Sequence, residues 1–118
     1  MFAFEKLEVW QLAMDFTVNI YLLTETFPKT EQFSLTDQIR RAASAVPANI
    51  SEGNSRQTSK DKAHFLTIAY SSLMETMNHL ILGNKLGYIN DNNLTAIRKK
   101  IEKISAQISA LRNYYSNH

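Results

Sequence analysis

Glu75 and His79 stand one helical turn apart in this 118-residue chain, with Ser72 a further turn back, and apolar residues surround all three. A carboxylate and an imidazole at that spacing share a helix face. The chemistry they suggest is metal binding, as in bundles that hold two metals with paired Glu-x-x-His motifs. Here the spacing is Glu-x-x-x-His, it occurs once, and no second inward carboxylate pair accompanies it. The pattern therefore predicts no metal and no cofactor. It predicts a salt bridge or hydrogen bond from Glu75 to Arg40, Arg41 or Ser72, with His79 as a neutral hydrogen-bonding side chain. Cysteine is absent, which excludes a disulfide framework, a thiolate metal site and a cysteine nucleophile. With no Gly-rich phosphate loop and no Gly-x-Ser-x-Gly elbow, the chain reads as a non-enzyme.

The remaining chemistry is cationic. Arg98, Lys99, Lys100 and Lys103 fall within two turns of one helical segment, with Lys99 and Lys103 directed away from its apolar stripe. Such a cluster suits phosphate contacts with RNA or DNA, and plain solvation of a bundle helix is the alternative. A second group, Arg56, Lys60 and Lys62, surrounds an expected turn, and Tyr114 and Tyr115 are available for stacking. Net charge is only +2, from 13 basic and 11 acidic side chains, well short of a dedicated nucleic-acid binder. The imbalance is regional: residues 1–33 carry two basic and five acidic side chains, residues 91–118 five basic and two acidic.

Four helical segments must position these residues. Three glycines and two prolines punctuate the whole sequence, which suits a few long elements joined by short turns. The apolar spacing predicts helices over about 4–26, 34–53, 58–86 and 91–115, all within a single domain. Val9, Ala13, Phe16, Ile20, Leu23 and Phe27 line the first, which Pro28 ends. The second opens on a capping-box-like Ser34 and Asp37, bends at Pro47, and stops at a left-handed Gly53, with Glu52 holding Arg56 near the turn. Pro47 also leaves the Ala43 carbonyl without its helical donor. The third starts at Thr58 with Asp61 three residues on and stops at Gly87; the fourth starts near Asn90 and sets Leu94, Ile97, Ile101, Ile104, Ile108, Leu111 and Tyr115 at three-four spacing. Short loops between long helices imply an all-α, antiparallel up-and-down four-helix bundle.

A bundle helix needs one apolar stripe, and two of these have more. Trp10, Met14 and Tyr21 lie beside the main stripe of the first helix, and Phe65, Ile68, Leu82 and Leu86 form a second row on the third. On the second helix, Arg41, Ala45, Ala48 and Glu52 fall on one line away from the core positions. Arg41 and Glu52 are eleven residues apart, about 16 Å along the axis, so they would meet only across a symmetric interface. These surplus faces predict self-assembly. The chain starts without a signal-like basic and apolar segment and contains no long apolar run, which predicts a cytoplasmic protein without membrane contact.

The stretch Gln38-Ile-Arg-Arg-Ala-Ala-Ser-Ala-Val-Pro-Ala-Asn-Ile-Ser-Glu-Gly53 followed by Arg56 resembles the 23S rRNA-intervening sequence proteins, small bacterial four-helix bundles. Phe4, Leu7, Val9, Trp10 and Ala13 before it, and Phe65-Leu66, Ile68-Ala69, Ser72-Leu73, Glu75 and Leu86-Gly-Tyr-Ile89 after it, extend the resemblance over nearly the whole chain. Its motif residues here are Arg40, Arg41, Pro47, Asn49, Glu52, Gly53, Arg56 and Glu75. The resemblance implies a homopentamer without enzymatic activity. It also implies kinship with accessory proteins of diversity-generating retroelements, basic pentamers that bind nucleic acid and a partner protein. Two functions follow as expectations: a nucleic-acid-binding accessory oligomer, or a purely structural or protein-binding scaffold.

Overall fold

A computed structural model describes residues 1–118. The chain is all-α, with four helices: α1, Glu8–Thr24; α2, Leu35–Ser55; α3, Ser59–Lys85; and α4, Asp91–Ser116. Two 3-10 turns, Ala3–Lys6 and Lys29–Glu31, precede α1 and α2. Each helix packs on the one before it; α1 also touches α4, through a much smaller contact, and the α2–α3 seam is the most extensive. One apolar core of 19 buried residues runs through all four helices. No helix is long and apolar enough to cross a membrane.

The helix ends show which local signals decide. Thr58 accepts a hydrogen bond from the Asp61 N–H at 3.1 Å and Asn90 accepts from the Asn93 N–H at 2.7 Å, so α3 and α4 start on their expected caps. Gly87 takes φ +84°, and the Tyr88 and Gly87 N–H groups turn back to the Gly83 and Asn84 carbonyls, a Schellman stop. Ser34 caps nothing with its side chain; the Glu31 carboxylate accepts from the Leu35 N–H at 3.5 Å instead. The first helix starts later than the apolar spacing implies. Leu7 is extended, at ψ 125°, and it separates α1 from a turn tied down by Glu5, which accepts from the Phe2 and Gln11 N–H donors at 2.8 Å.

Gly53 does not stop its helix. Its backbone has no positive φ, α2 runs on to Ser55, and the residue is buried against α3. A Cβ built there would lie 3.1 Å from the Phe65 Cβ and 3.2 Å from the Lys62 carbonyl oxygen. The missing side chain therefore lets two helices approach, where the sequence suggested a turn. The Ala43 carbonyl that Pro47 deprives of its donor lies 3.2 Å from the Thr17 hydroxyl of α1, which also points to the Ala13 carbonyl at 2.8 Å. One hydroxyl proton thus serves two carbonyls, and the proline becomes a fixing point for α1.

Candidate nucleic-acid interface

Arg98, Lys99, Lys100 and Lys103 are all exposed on α4. None takes part in either salt bridge of the molecule or in a side-chain hydrogen bond. Most other basic side chains near the helix seams are engaged. Arg40 donates from Nε to the Thr24 hydroxyl at 2.8 Å and from its guanidinium to the Tyr21 carbonyl at 3.2 Å, and it covers the Tyr21 ring at 4.6 Å. It thereby satisfies a carbonyl at the negative end of α1. Arg41 pairs with Asp37 at 2.9 Å, and Arg56 pairs with Glu52 at 3.2 Å while lying 4.5 Å over Phe65. Lys62 donates to the Asn54 carbonyl at 2.9 Å and sits over Tyr115 at 5.5 Å.

The two expected cation groups are consequently unlike. Of the turn group, Arg56 and Lys62 brace α2, α3 and α4, and only Lys60 is exposed and unengaged. Lys62 reaches α4 at Tyr115, twelve residues beyond Lys103, a distance of about 18 Å along the helix. The groups do not merge into one patch. Within the α4 group, Lys103 is less outward than its spacing suggested: with Lys100 it lines a cleft against α1, formed also by Leu12, Asp15, Phe16, Asn19 and Ile104. Lys99 keeps the outward position.

The family motif resolves into bracing contacts. Besides Arg40, Pro47, Glu52 and Gly53, the Asn49 amide donates to the Ala45 carbonyl at 2.8 Å, within its own helix. Glu75 departs from expectation: it is exposed and makes no ion pair, because Arg40 turns to α1 and Arg41 to Asp37. His79 likewise lacks the expected hydrogen bond, and its buried Nδ1 has no partner. Arg41 and Glu52 each pair four residues away along their own segment, Arg41 with Asp37 and Glu52 with Arg56 just past the end of α2.

The surplus apolar residues divide by exposure. Trp10, Phe65, Ile68 and Ala45 are half-buried, Trp10 with its ring edge-on to Phe4 at 5.1 Å. Met14, Tyr21 and Ala48 are exposed, and so are Leu82 and Leu86. Val18 at 54% and Leu22 at 61% extend the Met14 face outward, a stripe that steps of four from Met14 would have revealed. Phe33, in the α1–α2 connection, is the most exposed at 88%.

The sequence profile of one family, the 23S rRNA-intervening sequence proteins, matches residues 5–110. The chain belongs to that family. A crystal structure of a protein of unknown function from the S23 ribosomal protein family of Bacteroides thetaiotaomicron superposes with a TM-score of 0.79. Its sequence is 24% identical, with 88% of this chain and 97% of that one covered, so the similarity is one of fold. No curated protein matches the chain. For this member of the 23S rRNA-intervening sequence proteins, the motif of α2 is the part that locks three helices together, and the one cluster of four unpaired cations lies elsewhere, on α4.

Proposed function

We infer that this protein is a non-enzymatic, cytoplasmic accessory factor that binds nucleic acid as a homopentamer. Each subunit is read as a single-domain antiparallel up-and-down bundle with α2 bent at Pro47. The observation that carries the nucleic-acid reading is the set of four exposed cations clustered on α4, none of them in an ion pair with a carboxylate. Placing five copies in a ring multiplies this modest charge and gives a near-neutral chain a steep salt dependence. The outward stripe of Met14, Val18 and Leu22 on α1, with Leu82 and Leu86 on α3, supports assembly, since burial in a partner copy removes apolar surface from water.

A second reading draws on the same stripe: a structural or protein-binding scaffold whose α4 cations only keep it soluble. The kinship with retroelement accessory proteins that the resemblance implies, proteins that bind both nucleic acid and a protein, is compatible with either reading. Binding of short single-stranded RNA at two salt concentrations separates the readings. The parent should bind, and the double variant Lys99→Glu, Lys103→Glu should lose most of that affinity and flatten the slope of log K against log salt. No binding by the parent favours the scaffold, and equal binding by parent and variant removes Lys99 and Lys103 from the contact and overturns the α4 reading. Light scattering tests assembly: Val18→Lys should lower the particle mass, and an unchanged mass removes this stripe from the interface.

A further inference from the structure

The cleft between α1 and α4 is more specific than a phosphate-contacting surface needs to be. It holds about 270 Å³ between Leu12, Asp15, Phe16 and Asn19 of α1 and Lys100, Lys103 and Ile104 of α4. Its floor is apolar: Phe16 and Ile104 are each 2% exposed, and Leu12 is half-buried. One wall carries a carboxylate and an amide a helical turn apart, and the other carries two ammonium groups. Neither lysine reaches Asp15 as an ion pair, and Asn19 makes no hydrogen bond within the protein. The lining is thus two cations against one anion, with all four polar groups unspent.

A ligand matching these walls needs a partly apolar body, an edge that donates to a carboxylate, and an anionic group on the opposite side. Inorganic phosphate meets only the lysines, and a fatty acid leaves Asp15 facing a hydrocarbon. A nucleotide meets all three demands. We propose that this cleft takes one unpaired nucleotide, its base against the half-buried Leu12, its amino-bearing edge on Asp15 and Asn19, and its phosphate on Lys100 and Lys103. Carboxylates accept from exocyclic amino groups of bases, and single strands present such edges where duplexes hide them. The inference rests on the nucleic-acid reading for its larger ligand, a single-stranded RNA, and a free mononucleotide is the other source of the same chemistry.

Three probes test it on the intact protein: cytidine monophosphate, a short cytidine-rich single strand, and a duplex of equal length. Asn19→Leu fills the cleft from an exposed position without touching a cation or the core. The expected result is that the single strand outcompetes the duplex on the parent, and that Asn19→Leu weakens single-strand binding by about fivefold or more while duplex binding stays the same. Asp15→Asn should narrow the preference for cytidine over uridine. Amide chemical-shift changes with cytidine monophosphate should cluster at residues 12–19 and 100–104, and inorganic phosphate should not reproduce those on α1. If RNA binds the parent and Asn19→Leu equally, the cleft proposal is overturned and the surface reading stands. If the mononucleotide binds in the cleft but RNA does not bind, the occupant is the free nucleotide and the nucleic-acid reading falls. If neither binds, both fall.

Discussion

The α2–α3 seam and the α1–α4 seam join helices of similar character with opposite results. Across the first, Gly53 brings α2 within reach of the Lys62 carbonyl and the Phe65 side chain, Ala42, Ala43 and Ala69 are at most 3% exposed, and Arg56 and Lys62 close the end. Across the second, the Gln107 amide donates one long hydrogen bond of 3.4 Å to the Glu8 carboxylate, and a lined cleft remains. The difference lies in side-chain size and charge. Small residues let two backbones approach across the first seam, whereas the longer Leu12, Lys100 and Lys103 line an open cleft at the second, where the cations have no carboxylate partner. The tight seam braces the fold, and the open one is where we propose that a ligand binds.

Truncation should expose the contrast most strongly. Leu73 is fully buried in the tight half of the core, and Leu73→Ala should cost about 3 kcal/mol in denaturant unfolding. The half-buried Leu12 faces the open seam, and Leu12→Ala should cost about 1 kcal/mol. Equal costs would remove the asymmetry. Next comes Gly53→Val, expected to destabilise by about 2 kcal/mol because the added carbons meet backbone that cannot rotate away. Were Gly53 a chain-reversing stop, a β-branched residue would instead shorten α2 and reduce the helical circular dichroism.

Thr17→Val tests whether Pro47 is tied to α1. The carbonyls of Ala13 and Ala43 lose their shared hydroxyl, so a loss of about 1–2 kcal/mol is expected, with Thr17→Ser restoring most of it. A valine variant as stable as the parent would make that contact incidental. The exposed Arg41–Asp37 pair should register least, with Arg41→Ala costing about 0.5 kcal/mol or less. A larger loss, dependent on protein concentration, would place Arg41 in a subunit contact.

Tyr88 adds a pH-dependent tie away from both seams. Its hydroxyl donates to the Glu31 carboxylate at 3.0 Å, and that hydrogen bond, then burial and the carboxylate's charge, hold the phenol above its ordinary 10.0. Protons are then held more tightly in the folded state than in the unfolded one. The contribution is complete below pH 10 and is lost as pH rises through the higher folded value. Alkaline titration followed by tyrosine absorbance should show one late phenol that Tyr88→Phe removes.

Much of this was legible in the sequence, for reasons that particular residues make plain. Thr58, Asn90 and Gly87 act locally, through caps and a left-handed backbone, so their positions in the chain suffice. The role of Gly53 depends on what stands opposite it, and no spacing within α2 reports the Lys62 carbonyl. The expected partners of Glu75, namely Arg40, Arg41 or Ser72, do not reach it: Arg40 bonds Thr24, Arg41 pairs with Asp37, and Glu75 forms no hydrogen bond with Ser72. The isoleucines of α4 were expected to define the core, but only Ile101, Ile104 and Ile108 are fully buried, since a helix packed on one side leaves its stripe partly open. The cleft was illegible because it is formed by two helices some 80 residues apart in sequence.

Backbone amide hydrogen exchange, with and without single-stranded RNA, tests the division of labour most directly. Without RNA, amides around Ile39 and Leu73 should exchange only on global unfolding, while those of residues 12–19 and 97–104 exchange through smaller openings. With RNA, protection should rise in the second set and stay unchanged in the first. Equal protection at both seams in the free protein, or RNA-induced protection centred on α2 and α3, would contradict the account.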